Sequence, residues 1–117
     1  MSIRRITPGP RFSGAVVHGD TVYVAGQTAS DRSAGVRGQT EQVLQKIDGL
    51  LAGAGTDKSR LLSATVYLAD MRYFDEMNAA WEAWVDKTNL PTRATVEARL
   101  AVPQILVEIV VIAALSG

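Results

Sequence analysis

Pro91-Thr92-Arg93-Ala94-Thr95-Val96-Glu97-Ala98-Arg99, followed closely by Leu106-Val107-Glu108-Ile109-Val110-Val111-Ile112, puts an arginine and an acid at strand positions. From Leu106 to Leu115 the chain is apolar and rich in β-branched residues except at Glu108, the composition of a buried strand. A carboxylate there needs a partner, a proton or a task, because an unpaired charge taken out of water is costly. Two readings stay open on these residues: a structural acid paired to a nearby arginine, or a site for a small anion.

Upstream of Pro91, the apolar residues Phe74, Met77, Trp81, Trp84 and Val85 recur at helical spacing and end before Asn89-Leu90-Pro91, with Asp70 as the candidate N-cap. Asn78 lies close to this stripe, where an amide is usually a satisfied structural group. The two tryptophans read as core rather than as a ligand platform. Leu61 to Leu68 reads as a central strand, with Ser63, Thr65 and Tyr67 on the face opposite Leu62, Ala64, Val66 and Leu68. From Val36, the residues Val43, Leu44, Ile47, Leu50, Leu51 and Ala54 form the inward face of a first helix, which Gly53 and Gly55 stop. Ser30 to Gly35 is a polar loop. Ala15 to His18 and Val22 to Ala25 flank Gly19-Asp20-Thr21 as a hairpin. Thr7-Pro8-Gly9-Pro10 marks an irregular stretch after a short first strand. With final strands at Ala94 to Ala98 and Leu106 to Ala114, the order is ββαβαββ with room for an extra N-terminal strand. That order predicts an α+β layer whose helices cover one face of the sheet.

A chain of 117 residues is expected to close one core as a single domain, 1–117, while leaving much of its surface to be covered, which makes oligomerisation plausible. Twelve basic residues balance twelve acidic ones, so no net field attracts polyanions, which weakens a nucleic-acid reading. There is no cysteine, which removes disulfides, thiol catalysis and thiolate metal sites. The N-terminal residues Met1 to Ile6 lack an apolar signal core and the longest apolar run is too short to span a bilayer, so a soluble, cytoplasmic protein is the expectation. No Ser-His-Asp, phosphate-loop or zinc pattern occurs. His18 is assigned no catalytic role, and Glu41, Glu76 and Glu82 read as solvated helix faces. Glu97 and Arg99 fall on the Arg93 face of a regular strand, as its partners or as a polar rim.

The pattern Pro-x-Arg, a small residue, x, an aliphatic, then aliphatic-Glu-Ile about a dozen residues on, resembles the C-terminal signature of the reactive-intermediate deaminase family, the RidA or YjgF proteins long labelled endoribonuclease L-PSP. Val22-Tyr23-Val24-Ala25-Gly26-Gln27 and Asn78-Ala79-Ala80-Trp81 fall in the family's order, so the resemblance spans nearly the whole chain. It implies a chorismate-mutase-like fold and a homotrimer with three equivalent sites in the clefts between subunits. It also implies hydrolysis of 2-imino acids such as 2-aminoacrylate (2-iminopropanoate) and 2-iminobutyrate to 2-keto acids and ammonia, without metal or cofactor. Arg93 would then grip the substrate carboxylate through two parallel hydrogen bonds. Glu108 would hold or activate the attacking water. Gly26, where the main chain can be approached closely, and Thr95 would add backbone contacts, and Asn78 would lie near the ligand.

The chain departs from the family pattern at three places. Ala25 stands where a serine is often found, Thr95 where many deaminases have cysteine, and Phe12 is the nearest equivalent of an N-terminal tyrosine, without its hydroxyl. These changes alter the pocket wall while leaving the anchor and the acid. Two other classes of function stay open: a non-catalytic trimer binding a small carboxylate, and, less well supported by the zero net charge, an endoribonuclease or translation inhibitor.

Overall fold

A computed structural model of the chain describes residues 2–115. Six strands and two helices follow one another: β1 (Ile3–Pro8), β2 (Ser13–His18), β3 (Thr21–Gln27), α1 (Val36–Ala54), β4 (Leu61–Leu68), α2 (Phe74–Trp84), β5 (Thr92–Glu97) and β6 (Val107–Ala114). The strands form one sheet in the order β1-β2-β3-β6-β4-β5. β6 runs antiparallel between β3 and β4, and the edge pair β4 and β5 is parallel. A parallel pair requires a crossover, which α2 supplies.

Alternation decides which sheet face is covered. Val107, Ile109, Val111 and Ala113 of β6, with Val22 and Val24 of β3 and Ala64, Val66 and Leu68 of β4, are buried beneath the helices. Val43, Leu44, Ile47 and Leu51 of α1 and Met77 and Trp81 of α2 close that core from above. The result is the expected α+β layer, with both helices on one face. Among the described residues no helix covers the other face. Tyr23 there is 47% exposed and Val96 41%. Among the described residues no helix is long and apolar enough to cross a membrane.

Several boundaries moved for local reasons. The N-terminal strand exists, paired along its length with β2. Arg4 on β1 donates to the carbonyl of Ala54 at 2.8 Å, placing a cation at the C-terminal end of α1. Gly55, at φ 91°, ends that helix in the left-handed conformation a glycine tolerates, whereas Gly53 lies within the helix. Asp70 caps through Arg72 N at 2.8 Å, but the turn it starts is a short 3-10 turn at Met71–Tyr73 that leads into α2. β5 begins at Thr92 rather than Ala94, because the parallel pairing with β4 starts at Ser63.

One face assignment is corrected. A register shift lies between Leu61 and Ser63, so Leu61 takes the buried position and Leu62 turns out to solvent, 51% exposed. A bulge adds a residue without advancing the pleat, which the alternation alone could not reveal.

Gln39, on α1, is fully buried. Its amide nitrogen donates to the carbonyls of Ala34 at 3.0 Å and Gln104 at 2.9 Å, and its oxygen accepts from Leu106 N at 3.0 Å. It therefore satisfies the backbone of two loops at once, the one before α1 and the one feeding β6.

Candidate functional site

Arg93 is the second residue of β5, and the parallel register sets it beside Ala64, a buried residue of the helix-covered face. Its guanidinium therefore points toward α2. The guanidinium carbon lies over the Trp81 ring at 5.3 Å and over the Phe74 ring at 5.9 Å, and one terminal nitrogen is 3.8 Å from the Met77 sulfur. Burial pulls the Arg93 pKa down from its usual value, and the charge of Glu82 opposes that shift. The ion pairs among the described residues are Arg37–Glu41 and Arg72–Asp70, so no carboxylate of this set comes within 4.0 Å of Arg93. A half-buried cation that has its flat faces near aromatic rings and no internal anion is a ready receptor for an external one.

Thr95 is two residues further along the same face. Its hydroxyl oxygen is buried with no hydrogen-bond partner among the described residues. Buried polar atoms are ordinarily satisfied, so this orphan beside an unpaired guanidinium marks the spot. Asn78 is half-buried on α2, one residue beyond Met77. Glu97 and Arg99 are not partners of Arg93. Glu97 accepts from Met71 N at 2.8 Å, and Arg99 lies in the loop after β5.

Glu108 occupies the other face. It is the partner in register of Tyr67 on β4, between the buried residues Val107 and Ile109, and so points away from the helices. Of the two readings of this acid, the structural ion pair finds no support: Glu108 is in neither of the ion pairs just named. Its carboxylate lies against Gly26 of β3 instead. A Cβ on Gly26 would overlap Glu108 Oε2 and stand 3.0 Å from its carboxyl carbon. The β3–β6 pairing is irregular between Val24 and Gln27, and Gly26 falls in that irregularity. Glycine is thus needed here to make room for the acid rather than for an unusual φ. Phe12, exposed on the connection between β1 and β2, lines a surface cleft with Gly14, Gln27 and Leu50, next along the chain from Gly26.

Gly26→Ala is expected to displace the Glu108 carboxylate. The obstacle is the free end of a side chain rather than backbone, so the stability cost should stay near about 1 kcal/mol. A thermal melt measures that cost, and a crystal structure of the variant with Glu108 unmoved would count against the packing described.

The six candidate residues are not brought together in one chain. Arg93 reaches from β5 to α2, with Thr95 on the same face of β5 and Asn78 on α2; Glu108 and Gly26 meet between β6 and β3, and Phe12 lines a separate cleft with Leu50 of α1. Arg93 and Glu108 are separated by β4 and by the sheet itself, so one chain does not bring them to a common ligand. No sequence pattern could have shown this, because alternation within a strand does not say which face a neighbouring strand shares.

Comparison with known proteins gives a consistent set of likenesses. The family model described as Endoribonuclease L-PSP matches residues 2–115. A RutC family protein of Haemophilus ducreyi is 50% identical over 97% of both chains. The RutC family protein YoaB of Escherichia coli is 41% identical over 97% of this chain and 99% of its own length. A YjgF family member from Neisseria meningitidis, solved by crystallography, superposes with a TM-score of 0.95 at 40% identity, covering 100% of this chain and 98% of that one.

Proposed function

Since the chain belongs to the endoribonuclease L-PSP family, whose relatives carry the names RutC and YjgF, we propose that it hydrolyses small reactive 2-imino acids, such as 2-iminobutyrate and 2-iminopropanoate, to 2-keto acids and ammonia. The observation that carries this reading is the half-buried Arg93 on an edge strand, with no carboxylate of the described residues paired to it. In this reading the substrate carboxylate pairs with the guanidinium edge, and the Thr95 hydroxyl and Asn78 amide would add polar contacts. Glu108 takes a proton from a water molecule, whose oxygen adds to the imine carbon. That proton passes to the nitrogen to give a carbinolamine; the proton of the new hydroxyl then moves to the same nitrogen as the carbonyl forms, the carbon–nitrogen bond breaks, and ammonia leaves a 2-keto acid. Water and imine supply every atom, so neither a metal nor a cofactor enters.

Because Arg93 and Glu108 face opposite ways in one chain, the proposed site is shared: Arg93, Thr95 and Asn78 from one subunit, Glu108, Gly26 and Phe12 from the next. A closed ring of three copies would present three such clefts and would cover the open sheet face that carries Tyr23 and Val96. The cytoplasm is the proposed compartment. The family label endoribonuclease is the weaker reading for this chain, since its net charge is zero.

Two measurements test the proposal together. Imines generated in the cuvette by an amino-acid dehydratase should disappear faster with the protein present, with ammonia released in step. Light scattering at micromolar concentration should return three times the chain mass. A stable monomer would remove the shared site, and an unchanged rate of imine loss would leave a carboxylate-binding protein without catalysis.

A further inference from the structure

The face of α2 that carries Phe74, Met77 and Trp81 receives one charged side chain from β5, that of Arg93. Phe74 and Trp81 are two helical turns apart with Met77 between them, so the three form a straight track along the helix. Met77 and Trp81 are buried and belong to the core, whereas Phe74 is 38% exposed. An exposed ring contributes little to closing a core, and the Arg93 guanidinium lies over this one at 5.9 Å. A guanidinium over an aromatic face is attracted by the ring quadrupole, and that contact leaves N–H groups available for an anion beyond the one directed at the Met77 sulfur. Glu82 follows Trp81 on the same helix and its charge is felt at Arg93, yet the two form no ion pair.

We propose that Phe74, with Met77 and Trp81, is a positioning cradle that fixes the plane of the Arg93 guanidinium and withholds it from Glu82, so that its fork is preset for an incoming carboxylate. This rests on the reading of Arg93 as the carboxylate anchor. The aromatic stripe therefore has a second role besides packing: a long flexible cation on an edge strand would otherwise sample many rotamers, and each binding event would have to order it again.

The test is calorimetric titration with 2-oxobutyrate of the native protein and of Phe74→Ala, Phe74→Tyr, Arg93→Ala and the double variant Phe74→Ala/Glu82→Gln. Melting curves and light scattering accompany each, and the exposed position of Phe74 makes loss of the fold an unexpected outcome. Phe74→Ala should weaken binding about five- to tenfold, the scale of a partly desolvated cation–π contact. Phe74→Tyr should keep native affinity, and adding Glu82→Gln to Phe74→Ala should recover most of the loss, since the freed guanidinium then has no carboxylate to turn to. Recovery through Glu82 is a result that a merely structural Phe74 would not give. Native affinity in Phe74→Ala, or a loss that neither Phe74→Tyr avoids nor Glu82→Gln relieves, overturns the cradle. Arg93→Ala separates the two levels. If it binds 2-oxobutyrate as the native protein does, the anchor reading fails and the cradle with it; if it loses binding while Phe74→Ala keeps it, the cradle alone fails.

Discussion

Arg93→Lys is expected to lose 2-keto acid binding nearly as completely as Arg93→Ala. A lysine keeps the charge but has neither the planar fork nor the flat face that lies over Trp81 and Phe74. Each charge-assisted hydrogen bond contributes roughly 1.5–3 kcal/mol, so loss of a bidentate pair should weaken binding by at least about tenfold. Turnover at low substrate should fall with it. The fold should survive both changes, because the one side-chain hydrogen bond Arg93 makes among the described residues is the long contact to the Met77 sulfur. Calorimetry with a 2-keto acid and a thermal melt on the same samples decide the matter. Native affinity in Arg93→Ala would leave the protein without its proposed anchor.

Glu108→Gln should give the opposite signature, retained binding with lost catalysis. The amide keeps the shape that fits against Gly26 but cannot accept a proton from water. Loss of a general base should lower turnover on the order of a hundredfold or more. Keto-acid affinity should change little, since in the proposed site the carboxylate is held by Arg93 of the neighbouring subunit. Unchanged turnover would return Glu108 to a structural role, and a collapse of stability would do the same. The two variants also test the shared site: mixed together, Arg93→Ala and Glu108→Gln chains would regain some activity if subunits exchange, because a cleft combining the two intact halves would form.

Much of the fold was legible because it is local. The hairpin at Gly19-Asp20-Thr21, the helical spacing from Val36 and the alternating Leu61 to Leu68 each follow from the geometry of a few neighbouring residues. What escaped is set by residues far apart in the chain. That β6 inserts between β3 and β4, and that β4 and β5 are parallel, depends on pairings across dozens of residues. The bulge at Leu62 escaped because a single added residue leaves the pattern of residue types almost unchanged. Gln39 looked like an ordinary polar helix residue, and its partners at Ala34, Gln104 and Leu106 come from two separate loops. For the candidate site, the placement of Arg93 and Glu108 on strands was readable from the local pattern, and their division between two faces was not. The reason for Gly26 was also hidden: the close approach there is made by the Glu108 side chain, from a strand some eighty positions later.

The place of β6 in the sheet has a consequence for how the molecule is made. It is the last strand in chain order and yet lies in the middle, hydrogen-bonded to β3 on one side and β4 on the other. Before β6 emerges, the nascent chain can form the β1–β3 meander and then β4, but the facing edges of β3 and β4 have nothing to pair with. The two pieces cannot be joined until residues 107–114 have cleared the exit tunnel. At about 5–20 residues per second, the earlier segments therefore wait several seconds with open strand edges and apolar side chains in water. That interval, rather than the finished fold, is when this chain is most open to aggregation and most in need of a chaperone.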